Sequence, residues 1–151
     1  MTVRVQEADF DLSSEIAALR QGRPEIGAIA AFIGLVRDMN AGEAVAGLTL
    51  EHYPAMTQKA LEAIVAQAKQ QWKIDAVRVI HRVGRLRPSD QIVLVAVASS
   101  HRGEAFQACE FIMDYLKTQA PFWKQEQTPA GTHWVEARAS DTLAAERWKK
   151  T

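Results

Sequence analysis

The stretch 91-QIVLVAVAS-99 is the most strand-like in the chain, and the reading of its surroundings decides the fold. Its apolar residues run on without polar alternation, the pattern of a strand covered on both faces and so of a central strand. The next stretch, 101-HRGEAFQACEFIMDYLKTQAPFWKQE-126, changes period. Ala105, Cys109, Ile112 and Leu116 recur at helical spacing, with Phe106 and Met113 beside them. Ser99 or Ser100 can cap this helix, and Pro121 ends it. Phe122 to Gln127 then alternates as a short strand, and 132-THWVEAR-138 offers another.

Working outward, 87-RPSD-90 is a turn, and 76-AVRVIHRVG-84 alternates with Val77, Val79 and His81 on one side. Residues 54–72 carry a helical stripe of Met56, Ala60, Leu61, Ile64, Ala68 and Trp72, with Pro54 at the start, where a missing N–H costs nothing. Residues 48-LTLEHY-53 alternate as a strand, and 38-DMNAGEAVAG-47 reads as a loop. The apolar run 26-IGAIAAFIGLV-36 is expected to be a buried strand, with Gly27 and Gly34 at bends or close backbone approaches. Val3 and Val5 mark a first strand. Asp11 caps a helix over 12–20, on which Leu12, Ile16 and Leu19 line up. Asp141 is expected to cap a last helix over 142–149. The order βα, ββα, ββα, ββ and α predicts an α+β fold with a mixed, largely antiparallel sheet. Neither a GxGxxG nor a Walker A pattern occurs, and there is no internal repeat.

The chain has 151 residues, the size of one domain, and 48% are hydrophobic, enough for a real core. Lysine plus arginine total 18, as do aspartate plus glutamate, so general polyanion coating, nucleic acid included, is not expected. Any anion site must be a local concentration of positive charge. One cysteine, Cys109, allows no internal disulfide, and its place on the helical stripe marks it as a packed thiol. His52, His81, His101 and His133 lack metal-ligand spacing. The N-terminal residues show no signal-peptide pattern and no apolar run reaches membrane-spanning length, so the expectation is a cytoplasmic protein without a membrane partner.

Three features remain for chemistry. Ser100, His101 and Arg102 stand at a helix start, where the dipole disfavours cations and favours an anion. A bound phosphate or carboxylate would reverse that cost; the alternative is a surface histidine and an arginine paired to a carboxylate. Lys117 falls in the last turn, where a cation is favourable in any case. Lys124 lies in the strand after Pro121, beside Phe122 and Trp123. Were Lys117 and Lys124 brought together, mutual repulsion and burial would lower their proton affinity and suit them to acid–base work. Arg37 ends 32-FIGLVRDMN-40, where a strand hands over to a loop. On spacing alone these residues fit a non-catalytic phosphometabolite-binding or interaction module as well as an enzyme.

Taken together, FIGLVRDMN, LEHYPAM and ASSHRGEAFQACEFIMDYLKTQAPFWKQE resemble the MoaE family, the large catalytic subunits of molybdopterin synthase. The resemblance runs from about residue 3 to 149 and predicts a single MoaE-like domain over 1–151. It implies an α/β-hammerhead fold, a homodimer of large subunits, and one small ubiquitin-like (MoaD-like) sulfur-carrier subunit on each, giving a heterotetramer. The carrier's Gly-Gly tail, ending in a thiocarboxylate, would thread into a pocket. There cyclic pyranopterin monophosphate would receive two sulfur atoms and become molybdopterin, with no metal or other cofactor held by the large subunit. Substrate-contacting positions would be Leu35, Val36, Arg37, His101, Arg102, Lys117, Lys124, Gln125 and Glu126, with Arg138 a further candidate. The resemblance gives Arg37, His101 and Arg102 the phosphate, and Lys117 and Lys124 the sulfur chemistry, with Glu126 orienting Lys124. The pocket is either contained in one chain or shared across the dimer.

Overall fold

The computed structural model describes residues 2–40, 42–135 and 139–149. In chain order the elements are β1 (Val3–Gln6), α1 (Leu12–Arg20), β2 (Ala28–Leu35), β3 (Met39–Asn40), β4 (Glu43–Ala44), β5 (Gly47–His52), α2 (Pro54–Gln71), β6 (Ala76–Arg82), β7 (Gly84–Leu86), β8 (Gln91–Ser99), α3 (Arg102–Gln119), β9 (Phe122–Thr128), β10 (Gly131–Val135) and α4 (Ala139–Glu146), closed by a 3-10 turn at Arg147–Lys149.

β8 is the central strand its apolar run implies. It lies between β6 and β2 in a sheet ordered β1-β6-β8-β2, and every residue from Val93 to Ser99 is buried. Val93, Val95 and Val97 face α2 and α3, packing with Leu61, Ile64, Ala108 and Ile112. Leu94 and Ala96 face α1, with Phe10, Leu19 and Ile80. Each large side chain so buried is worth about 1.5–3 kcal/mol, which is why an unbroken apolar run is stable only here.

The α+β class holds, but the expected single sheet is two. A second four-stranded sheet, ordered β10-β9-β5-β7, is antiparallel throughout, while the first contains the parallel pair β1–β6. The alternating run 76–84 is what hides the division. The pairing to β8 ends at His81, and Gly84, at φ +86°, turns the chain into the other sheet. Leu48, Leu50, Leu86 and Val36 form the small core between the sheets' ends.

Several local expectations are corrected. The run 26–36 forms β2 at a sheet edge rather than a buried strand, and Phe32 and Leu35 are 41% and 53% exposed. Its glycines do mark close approaches: a Cβ on Gly34 would stand 2.8 Å from Val93 Cγ1, and one on Gly27 would fall on the Ser100 carbonyl oxygen. The 38–47 loop contains a small hairpin, β3–β4. Met56 and Phe106 point to solvent, because the α2 and α3 stripes centre on Leu61 and Phe111 instead. Neither Ser99 nor Ser100 is the N-cap of α3; His101 holds that position without a side-chain bond. The Ser99 hydroxyl instead accepts from His101 N–H and donates to the Lys73 carbonyl, at 3.5 and 2.8 Å. Asp141 lies inside the first turn of α4, which begins at Ala139, so it does not cap it. Asp11 does cap α1, accepting from Ser14 N–H at 3.2 Å.

The C-terminal turn is fastened to α3. Asp114 accepts from Trp148 Nε1 at 2.6 Å and from Arg147 at 2.8 Å, and Trp72, Phe111 and Trp148 meet edge to face. Among the described residues no helix is long and apolar enough to cross a membrane.

Candidate active site

Three element ends converge on one cavity of about 600 Å³ between the sheets. The first is the end of β2. The register shifts by one residue between Gly34 and Leu35, a bulge that re-aims the side chains beyond it. Val36 N–H then donates to the Asp90 carbonyl at 2.9 Å, and Ser89 N–H donates to the Val36 carbonyl at 2.8 Å. Tied to the 87–90 turn in this way, Val36 is buried, and Leu35 and Arg37 stand at the cavity's rim.

The second is the last turn of α3, which carries Lys117 to the cavity while Leu116 anchors the turn in the core. The third is β9. Phe122, Lys124 and Glu126 pair with His52, Leu50 and Leu48 of β5, and their side chains share one face of the sheet. That face forms a wall of the cavity. Lys124 is half-buried and Glu126 is 9% exposed. Asn40 of the β3–β4 hairpin donates from Nδ2 to both Glu126 oxygens at 3.0 Å. A carboxylate this buried needs such partners.

His81 lies beneath these groups, 5% exposed, at the end of the β6 face that Val77 and Val79 begin. Its ring stacks on Phe122 with centroids 3.9 Å apart and planes 18° apart. Nδ1 lies 2.8 Å from the Arg82 carbonyl oxygen, which can only accept, so the ring proton is on Nδ1. Burial first, and then the charges of Lys117, Lys124 and His52, push its pKa down to about 3, and the ring is neutral. That both lysines act on one buried imidazole is the electrostatic sign that α3 and β9 deliver them to the same place.

Arg37, Lys117 and Lys124 thus face Glu126 and Asp141 across walls of Leu35, Val36, Leu48 and Leu50. Such a cavity can take an anionic ligand with an apolar body. Low local dielectric strengthens each charge-assisted hydrogen bond made there.

The chain matches the MoaE protein family over residues 5–119. The molybdopterin synthase catalytic subunit of Ralstonia nicotianae is 67% identical over 147 residues, 97% of this chain and 84% of that protein. The solved MoaE protein of Burkholderia ambifaria superposes with a TM-score of 0.85 at 57% identity, covering 99% of each chain. The molybdopterin synthase from Staphylococcus aureus superposes with a TM-score of 0.81 at 29% identity, covering 87% of this chain and 95% of that one. The chain belongs to the MoaE family.

Within this MoaE chain the expected site residues divide. Leu35, Val36, Arg37, Lys117, Lys124 and Glu126 line the one cavity. His101 and Arg102 are exposed at the opposite end of α3. Fifteen residues separate Arg102 from Lys117, about 22 Å along the helix axis. Gln125 alternates away from Lys124 and Glu126, on the face of β9 that carries Trp123 and pairs with Trp134. Arg138 lies outside the described residues. The Trp123 and Trp134 rings are 41% and 58% exposed.

Three polar lining residues were not named as site residues from the sequence: Asn40, His81 and Asp141. His81 had a signal, since it is the polar member of an apolar alternation with Val77 and Val79. Asn40 had none, because its partner is 86 residues away in the chain. Asp141 offered only a helix-start signal, and the docking of α4 on α3 brings it to the cavity.

Proposed function

We propose that this chain, read as one MoaE-like domain over 1–151, is the catalytic subunit of a cytoplasmic molybdopterin synthase. It moves sulfur from the thiocarboxylated Gly-Gly end of a small ubiquitin-like carrier subunit to cyclic pyranopterin monophosphate, forming the dithiolene of molybdopterin. The observation that carries this reading is the meeting of Arg37, Lys117, Lys124 and Glu126 on one apolar-walled cavity in a MoaE chain.

The chemistry asks for what such a cavity supplies. The pterin brings a phosphate, which Arg37 neutralises by charge-assisted hydrogen bonds. The carrier tail brings a thiocarboxylate sulfur, which bonds to a pterin carbon as a thioester. Water then adds to the acyl carbon, putting negative charge on its oxygen, and the acyl C–S bond breaks to leave sulfur on the pterin and a carboxylate on the carrier. Lys117 stabilises that oxyanion or transfers a proton. Lys124 is the second cation, and Glu126, clamped by Asn40, orients it. His101 and Arg102 stand too far along α3 to join this cavity from the same chain. The reading therefore places them in the cavity of a second copy, in a homodimer that carries one small subunit on each chain. Gln125, facing away, has no part in this arrangement.

The test is reconstitution with a thiocarboxylated carrier and the cyclic pterin, with molybdopterin as the readout. Product should form above the carrier-only control, and Lys117→Ala should lower turnover by about a hundredfold or more while leaving fold and assembly intact. No product above that control would leave only a phosphometabolite-binding module. Near-wild-type activity in Lys117→Ala would remove that lysine from the chemistry.

A further inference from the structure

The buried imidazole beneath the two lysines has no role in the scheme above. It is also an expensive group to place there, since an apolar residue would pack the same wall. His81 is held from three directions. Its Nδ1–H donates to the Arg82 carbonyl, its face lies flat on Phe122, and its β6 position fixes it opposite Val93 of β8 and beside Val5 of β1. A ring so fixed cannot turn to exchange its nitrogens. With Nδ1 committed to the backbone, Nε2 is the one acceptor the ring has left, on its far side, in a residue that lines the cavity.

The groups that act on this ring are Lys117 from the end of α3, Lys124 from β9 and His52 from β5. His52 also stacks on Phe122, with centroids 6.5 Å apart against 3.9 Å for His81. Lys117 and Lys124 line the same cavity as the ring, and a neutral acceptor suits an ammonium donor there. A carboxylate in the same place would form a full ion pair and bind the lysines tightly. A neutral nitrogen accepts one ammonium N–H without neutralising its charge.

We infer that His81 is a positioning residue of the MoaE site, whose Nε2 accepts a hydrogen bond from the Lys117 or Lys124 ammonium and aims that lysine into the cavity. This rests on the sulfurtransferase reading for its effect on turnover, but the hydrogen bond itself can be read without turnover. Imidazole 15N resonances of the labelled full chain, with the His81 signals assigned by their loss in His81→Phe, report whether Nε2 accepts a hydrogen bond. Replacing Lys117 or Lys124 by Met should move the Nε2 resonance toward that of a free acceptor. If neither replacement moves it, the inference is overturned, whatever the activity.

Side-chain reach gives the second arm. A glutamine amide reaches about as far as Nε2 and an asparagine amide about as far as Nδ1, so the two separate the cavity-side acceptor from the backbone-side donor. In reconstituted synthase, His81→Phe, which keeps the stack, and His81→Asn should each lower kcat at least about tenfold with KM within about twofold. His81→Gln should recover most of that loss. Equal impairment of the Gln and Asn variants, or wild-type kcat in His81→Phe, would mean the ring only fills space. A wild-type chain that makes no product but shows the lysine-dependent Nε2 shift would overturn the sulfurtransferase reading and leave the positioning intact.

Discussion

At the scale of the residue, His81 ties stability to pH. The folded chain holds its ring neutral with a pKa down at about 3, chiefly through burial and then through Lys117, Lys124 and His52. In the unfolded chain the ring is free to titrate near 6.5. Between those values the unfolded chain takes up a proton that the folded chain does not. Stability from this group is therefore complete above about 6.5 and is lost as pH falls toward 3, by at most about 1.4 kcal/mol per pH unit. His81→Phe removes the proton and its slope. Urea unfolding of both proteins near pH 7 and near pH 4.5 should show the balance shifting toward the variant at the lower pH. A difference unchanged by pH would show a ring that titrates as freely folded as unfolded. Little of this was open to sequence reading. Arg37, Lys117 and Lys124 stood out as cations at the ends of elements, where local rules apply. The worth of His81 depends on Phe122, 41 residues later, and no local period reports that contact.

At the scale of the element, β8 is the test of the two-core architecture. Its odd and even residues serve different cores, so one truncation should be felt on one side alone. Leu94, fully buried against α1, should cost about 2–5 kcal/mol as Leu94→Ala. Leu143→Ala, at a residue 68% exposed, should stay within about 0.5 kcal/mol. Denaturant midpoints at unchanged slope would measure both, and a Leu94→Ala loss no larger than that of Leu143→Ala would deny β8 its second core. Element types were mostly legible because periodicity is local: β8, α2 and α3 stand where the sequence puts them, to within a residue or two. What the period cannot say is which strand ends at an edge. The run 26–36 is apolar enough for a centre, yet β2 has only β8 beside it, and its outer residues remain open to solvent. Nor can alternation locate a change of sheet, which at Gly84 depends on a positive φ that glycine tolerates.

At the scale of the whole molecule, the length of α3 sets the assembly question. His101 and Arg102 at one end and Lys117 at the other cannot serve one cavity within one chain. If two chains share their sites, two defective variants can repair each other. Arg102→Ala and Lys117→Ala, each inactive alone, would on random exchange yield mixed dimers with one intact and one doubly defective site. Activity should then return toward roughly a quarter of wild type. Exchange without any return of activity, with mixed dimers verified by mass, would show that each cavity is built from a single chain. The resemblance in the sequence named both ends of the helix, but which chain each end serves is a matter of symmetry. A sequence carries one copy of that information.

The aromatic clamp at the C-terminal turn gives the molecule a built-in optical probe. The indoles of Trp72 and Trp148 lie 5.5 Å apart with planes at 87°, and Phe111 closes the triangle at 5.2 and 5.6 Å. Two chromophores so close and so fixed couple their transitions, giving a near-ultraviolet circular dichroism signal that vanishes if Trp148 undocks. The segment that carries Trp148 also carries Asp141 to the cavity wall, so the same light would follow one wall of the site during binding, with no label added.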